Sequence, residues 1–278
     1  MTERRLLLSR HIEDIGDLRN NRDCGINPEM AHEAQQIADE IIRTADTEGS
    51  GAVLFVISPK IRVRETTEII RSHIRKESTL KTLLTEEPGL REIDQGTFCL
   101  PDDYTTDMYI PELARAWEIF WEETFTNGDF QYRFGSVSSR TNPKAHRELE
   151  SFFTKPGENY TEYCVRLYRA ALKLSKDSRL TRRSGVRLSV ITHGAPLAIF
   201  KELEGISTDM ANDGFDFETG TLMQLCWDRY RDRKVDADPN FGASVSLRFD
   251  HISDPRIRSK LQVEVDYLES TLEENGAE

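Results

Sequence analysis

AVLFVISPKIRVRETTEII, residues 52–70, is the stretch on which the fold turns. Six apolar residues in succession pass through Ser58, Pro59 and Lys60 into a segment where Val63, Ile69, Ile70 and Ile74 fall at helical spacing. A near-continuous apolar run suits a strand of a parallel sheet covered on both faces, and a strand that feeds a helix through a short loop is half of a β-α-β unit. Two more runs have the same character, RRLLLS at 4–9 and VRLSVIT at 186–192. Between the first two runs, Asn27 can cap a helix with Pro28 at its first position, and Met30, Ala34, Ile37, Ala38, Ile41 and Ile42 share one face. After the third run, APLAIFKELEG at 195–205 starts a helix near Pro196 and stops it at Gly205.

Each strand thus leads into a loop and then a helix. The expectation is an α/β three-layer sandwich: a mostly parallel central sheet, helices on both faces, right-handed crossovers, and ligands beyond the carboxyl ends of the strands. His11, Arg62 and His193 all lie at such ends. GTLMQLCWD at 220–228 and ASVSLRFD at 243–250 alternate as antiparallel edge strands do. The region from about 97 to 156 breaks the rhythm, with a helix at 110–125 whose apolar face is Ile110, Leu113, Ala114, Trp117 and Trp121. It reads as a cap inserted into a single domain spanning 1–278, and the last residues, about 268–278, form an acidic tail.

Charge and cysteine content narrow the function. The 37 Lys and Arg against 49 Asp and Glu leave a net charge of −12, which repels nucleic acid and anionic membrane and leaves an anionic substrate dependent on a local cluster of cations. Cys24, Cys99, Cys164 and Cys226 are far apart with no metal-binding spacing, so reduced thiols are expected. The apolar run in MTERRLLLSRH is too short for a signal segment or a membrane span. A cytoplasmic protein is the expectation, and a homo-oligomer is compatible with the sequence.

Four segments align with the strand ends: SRH at 9–11, SPKIR at 58–62, LREIDQG at 90–96 and THGAPL at 192–197. Two histidines, two arginines and a glutamate in one pocket suit phosphoryl chemistry, because guanidinium groups fork onto phosphate oxygens and an imidazole can attack phosphorus. In order and spacing these segments resemble the histidine phosphatase superfamily, the phosphoglycerate-mutase-like fold. Its R-H-G motif matches Arg10 and His11, its S-P-x-x-R motif Ser58, Pro59 and Arg62, its acid motif Glu92 and Gly96, and its second H-G His193 and Gly194. PGENY at 156–160 is similar to the Pro-Gly-Glu stretch ahead of the last motif strand.

The resemblance implies His11 as the nucleophile, Glu92 as the proton donor and acceptor, and Arg10, Arg62 and His193 as the phosphate clamp. Backbone N–H groups of Gly194 and Ala195 would add to the cradle. It implies no metal and no organic cofactor, with a small phosphorylated molecule as substrate. Hydrolysis of a phosphomonoester is the leading expectation, a phosphoglycerate-type mutase the second, and a catalytically idle phosphate-binding or scaffold protein the third.

Two positions depart from the family pattern. Ile12 stands where the family has Gly, which leaves either a narrowed pocket or compromised access for phosphate. Asp17 stands where phosphate-binding members often carry Asn; Asn20 or Asn21 takes that part if the loop runs longer. Glu13 keeps the acid or amide common two places after the histidine, and a carboxylate there would select a substrate with a polar or cationic part. His32, His73, His146 and His251 match no motif and read as surface or structural residues, Trp117 and Trp121 as cap packing. Arg64 competes with Arg62 for the clamp, and the S-P-x-x-R spacing favours Arg62.

Overall fold

β1 (Arg5–Arg10) opens a computed structural model that describes residues 5–13, 25–98, 106–136, 152–175, 185–194, 196, 222–226, 255–256, 259–260, 262–263 and 266–267. The Asn27 side chain accepts the Glu29 N–H, so the cap forms as expected, but it opens a 3-10 turn over Pro28–Met30 that runs on into α1 (Ala31–Glu48). Gly49 ends α1 at φ 64, where its N–H turns back to the carbonyls of Ala45 and Asp46. β2 (Ala52–Ile57), α2 (Ile61–Glu77) and β3 (Lys81–Glu86) follow, then the two-residue β4 (Thr97–Phe98), α3 (Thr106–Trp121), β5 (Phe153–Lys155), α4 (Tyr160–Ser175), β6 (Val186–Thr192) and β7 (Leu222–Cys226).

The main sheet runs β3-β2-β6-β1-β7, parallel except for β7, which is antiparallel to β1 at the edge. This is the mostly parallel α/β sheet expected from the sequence, and GTLMQLCWD supplies the antiparallel edge strand. ASVSLRFD, most of APLAIFKELEG and the acidic tail lie outside the described residues. β3 is not among the three apolar runs because KTLLTE is an edge strand: Leu83 and Leu84 are each 42% exposed, so the segment carries no buried-strand signature.

Insertion of β6 between β1 and β2 makes neighbours of the three strand ends. Arg10 pairs with Thr192, and Ile57 with Ile191. On one side of the sheet Leu7, Val53, Phe55, Ile57 and Ile191 pack against Ala34, Ile37 and Ile41 of α1 and Val63, Ile70 and Ile74 of α2. Leu8, Leu54, Val56 and Val190 alternate with them and are also fully buried, the double cover that the apolar runs require. Arg187, the one charge in β6, is buried against Glu48 at the end of α1 as an ion pair.

Between β4 and β5, aromatic rings pack together. Trp117 stacks on Trp121 and Trp121 on Phe125, with centroids 5.5 and 5.2 Å apart, and Phe134 meets Trp117 edge-on at 4.6 Å. The helical face differs from the expected one. Ala114 is exposed, while Ala116 and Phe120 are buried. The large Phe120 ring packs between Trp117, Trp121, Tyr132 and Phe134, and the helix orientation that buries it leaves the Ala114 methyl group exposed.

Candidate active site

His11, Ser58 and His193 are the first residues beyond β1, β2 and β6, and backbone bonds continue the sheet through them. The His11 N–H reaches the Thr192 carbonyl at 3.0 Å, and the Ser58 N–H reaches the Ile191 carbonyl at 3.2 Å. Arg62 lies in the first turn of α2, one turn beyond Ser58. The strand order and the short 58–60 loop therefore bring three of the four sequence motifs together.

Arg62 spans both imidazoles. Its Nε–H donates to His11 Nε2 at 3.1 Å and its Nη2 to His193 Nδ1 at 3.3 Å. A guanidinium only donates, so both ring nitrogens that face it carry lone pairs. The remaining partners agree: His11 Nδ1–H donates to the Ile12 carbonyl at 2.6 Å, and His193 Nε2–H to Ser58 Oγ at 2.9 Å. The two neutral rings thus hold opposite tautomers, with centroids 5.1 Å apart at 67°.

Electrostatics keep them neutral. Burial first, then the Arg62 charge and more weakly Arg10, lower the His11 pKa to about 3, against a counteracting bond to the Ile12 carbonyl. His193 is held well below its ordinary value by burial, then by His11, Arg62, Lys60 and Arg10. The His11 Nε2 lone pair is therefore unprotonated and held by the Arg62 N–H, on the side of the ring where the cations gather.

Glu92 arrives on the loop after β3. Thr192, the residue before His193, donates its hydroxyl to the Leu90 carbonyl at 2.6 Å, which ties the glutamate loop to the strand end. The half-buried Glu92 carboxylate accepts from the Ile93 N–H at 3.1 Å and from the Tyr163 hydroxyl at 3.4 Å. Arg10 ends β1 beside Thr192, and Gly194 is buried at the first helical position after His193. Ala195, Asp17, Asn20 and Asn21 lie outside the described residues. Glu13 is exposed, and its carbonyl accepts the Asn27 N–H at 2.7 Å.

Ile12, in the place of the family Gly, turns inward. Its side chain is fully buried in the apolar cluster under α1 and α2, and its N–H reaches Thr66 Oγ1 at 3.3 Å. The β-branched side chain is absorbed by the core next to His11. Arg64 is held away in a two-bond pair with Glu86 at 2.7 and 2.8 Å, whereas Arg62 faces the two imidazoles. His73 pairs with Asp39 at 2.7 Å and His32 Nδ1 lies 3.3 Å from the Glu29 carbonyl, both apart from the site. His146 and His251 lie outside the described residues. The sequence reading missed Tyr163, Arg166 and Glu158 around Glu92. Only PGENY hinted at them.

Among the described residues no group of three or more His, Cys, Asp or Glu side chains could hold a metal ion, and no helix is long and apolar enough to cross a membrane.

No family model matches the chain, and no curated protein matches it by sequence. Solved structures similar to it are phosphoglycerate-mutase-like histidine phosphatases and mutases. YhfR of Bacillus stearothermophilus is 17% identical, with 79% of this chain and 89% of that one covered and a TM-score of 0.48. The mycobacterial glucosyl-3-phosphoglycerate phosphatase Rv2419c is 13% identical over 80% and 89%, with a TM-score of 0.47. A phosphoglycerate mutase from Bacillus anthracis is 16% identical over 80% and 86%, with a TM-score of 0.49.

Proposed function

We propose that the chain is a phosphomonoesterase that hydrolyses a small phosphorylated metabolite through a phosphohistidine at His11. The observation that carries this reading is the His11 ring: neutral, with Nδ1–H bound to the Ile12 carbonyl and the Nε2 lone pair facing Arg62. Nε2 attacks phosphorus in line, the bond from phosphorus to the ester oxygen breaks, and Glu92 protonates the departing alcohol. Water then attacks the phosphoramidate, Glu92 takes its proton, and the P–N bond breaks to return neutral His11 and inorganic phosphate.

Arg62 and Arg10 bear on the phosphate oxygens, where charge accumulates in a loose transition state. A dianion between the rings also reverses the field at His193. It offsets the part of the suppression that comes from Arg62, Lys60 and Arg10, while burial, the largest cause, stays; Nδ1 gains proton affinity toward an oxygen of the dianion.

The test is turnover of p-nitrophenyl phosphate, glycerol phosphate and 3-phosphoglycerate by wild type and His11→Ala, with quenching in alkaline detergent to trap a labelled phosphoenzyme that is acid-labile and base-stable. Hydrolysis and labelling lost in the variant support the reading. Isomerisation of phosphoglycerate without release of phosphate would assign a mutase, and hydrolysis that survives in His11→Ala would refute the nucleophile.

A further inference from the structure

Arg166, on α4, uses all five of its N–H groups. Nε donates to Glu158 Oε1 at 2.9 Å; Nη1 donates to the Gly89 and Arg91 carbonyls at 2.7 and 3.0 Å; Nη2 donates to the Glu92 carbonyl at 3.2 Å and to Glu158 Oε2 at 2.8 Å. Three of its acceptors are therefore backbone carbonyls of the loop that ends in Glu92, one of them Glu92's own. Glu158, its ion-pair partner, grips the other side of that loop: its carboxylate accepts the Asp94 N–H at 3.2 Å and its N–H donates to the Asp94 carbonyl at 2.8 Å. The two segments touch so closely that a Cβ at Gly157 would lie 2.0 Å from the Asp94 carbonyl oxygen, which explains the glycine of PGENY.

One turn of helix earlier on α4, Tyr163 is fully buried with the Arg166 guanidinium 5.1 Å from its ring centre. Its hydroxyl donates to Glu92 Oε1. The carboxylate and the backbone of one residue are thus held by two neighbouring side chains of one helix, on a loop that Glu158 also grips at Asp94 and the Thr192 hydroxyl at Leu90. A network that only stabilised the loop would need no donor on the carboxylate oxygen itself.

We propose that Tyr163 and Arg166 are positioning residues for proton transfer by Glu92, Tyr163 through its carboxylate and Arg166 through its backbone. The inference rests on the reading of Glu92 as the proton donor. Arg166 supplies a rigid fork that lysine cannot reproduce, and Tyr163 selects which carboxylate oxygen keeps its proton free for the leaving group.

Leaving-group dependence distinguishes positioning from mere support. p-Nitrophenolate departs without a proton, whereas the glycerol alkoxide needs one, and kcat/KM covers the steps through the first departure. In the full chain, Tyr163→Phe keeps the buried ring and should lower kcat/KM for glycerol phosphate about tenfold while changing p-nitrophenyl phosphate by less than about twofold. Arg166→Lys should follow the same pattern, and Glu92→Gln should exaggerate it to about 100-fold. Equal losses on both substrates in Tyr163→Phe, with Glu92→Gln still selective, would overturn the positioning role and leave Glu92 as the acid. An unselective Glu92→Gln would overturn the acid assignment and this inference with it. If Arg166→Lys does not fold, Tyr163→Phe decides alone.

Discussion

Acidification should destabilise this protein by protonating histidines that the folded state holds neutral, and His11 gives the magnitude. Its pKa falls from 6.5 to about 3 on folding, chiefly through burial and then through Arg62. Between those values the unfolded chain binds a proton at this position that the folded chain does not. Stability therefore rises with pH across the window and is lost as pH drops below about 6.5, at about 1.4 kcal/mol per pH unit for each such histidine. From pH 7 to pH 5, His11 alone accounts for a loss of about 2 kcal/mol, a sizeable part of an ordinary folding free energy. His193, shifted in the same direction, adds to the slope. Urea unfolding followed by far-UV circular dichroism at several pH values between 7 and 5 measures the wild-type slope, and the same series on His11→Gln removes one titrating group. Carboxylates contribute equally to both proteins, so the difference isolates His11. The variant's slope should be shallower by about one proton. Equal slopes, or a His11 ring resonance that titrates near its ordinary value, would refute the electrostatic account of the site.

Arg62→Met should raise the His11 pKa toward its ordinary value, read from the ring proton shifts, and lower kcat/KM for p-nitrophenyl phosphate by about 100-fold; an unmoved histidine would mean that burial alone sets it. Ile12→Ala should cost about 2–4 kcal/mol of stability in urea with no gain in turnover, whereas a faster enzyme of unchanged stability would place the Ile12 side chain in the pocket after all. Gly96→Ala forces a side chain into φ +76 and 2.2 Å from the Lys155 carbonyl oxygen, so its thermal midpoint should fall clearly below that of wild type; an unchanged midpoint would show that β4 and β5 separate easily.

Much of the frame was legible in short windows. The apolar runs of β1, β2 and β6, the Asn27 cap and the faces of α1 and α2 are local periodicities, and Val63, Ile70 and Ile74 are buried as their spacing requires. β3 was not legible, since an edge strand with exposed leucines has no continuous apolar run. The face of α3 was misread at Ala114 because Tyr132 and Phe134, beyond the helix, join Trp117 and Trp121 in covering Phe120, and that packing is not written in the helix's own spacing. Glu92 was singled out by motif, but Tyr163 and Arg166, 71 and 74 residues further along the chain, give no signal until α4 is laid against the loop.

The order of the motifs along the chain, and hence the chemistry to look for, follows from the residues alone, because strand, loop and helix are encoded within a few turns of chain. The state of the site does not. Whether His11 and His193 are neutral, which nitrogen of each carries the proton, and whether Ile12 blocks the pocket or packs behind it depend on β6 lying between β1 and β2. That pairing joins Ser58 to His193 across 135 residues and sets the Arg62 guanidinium between two buried rings. Burial and charge act through space over a few ångströms, so only the folded chain assigns the protons.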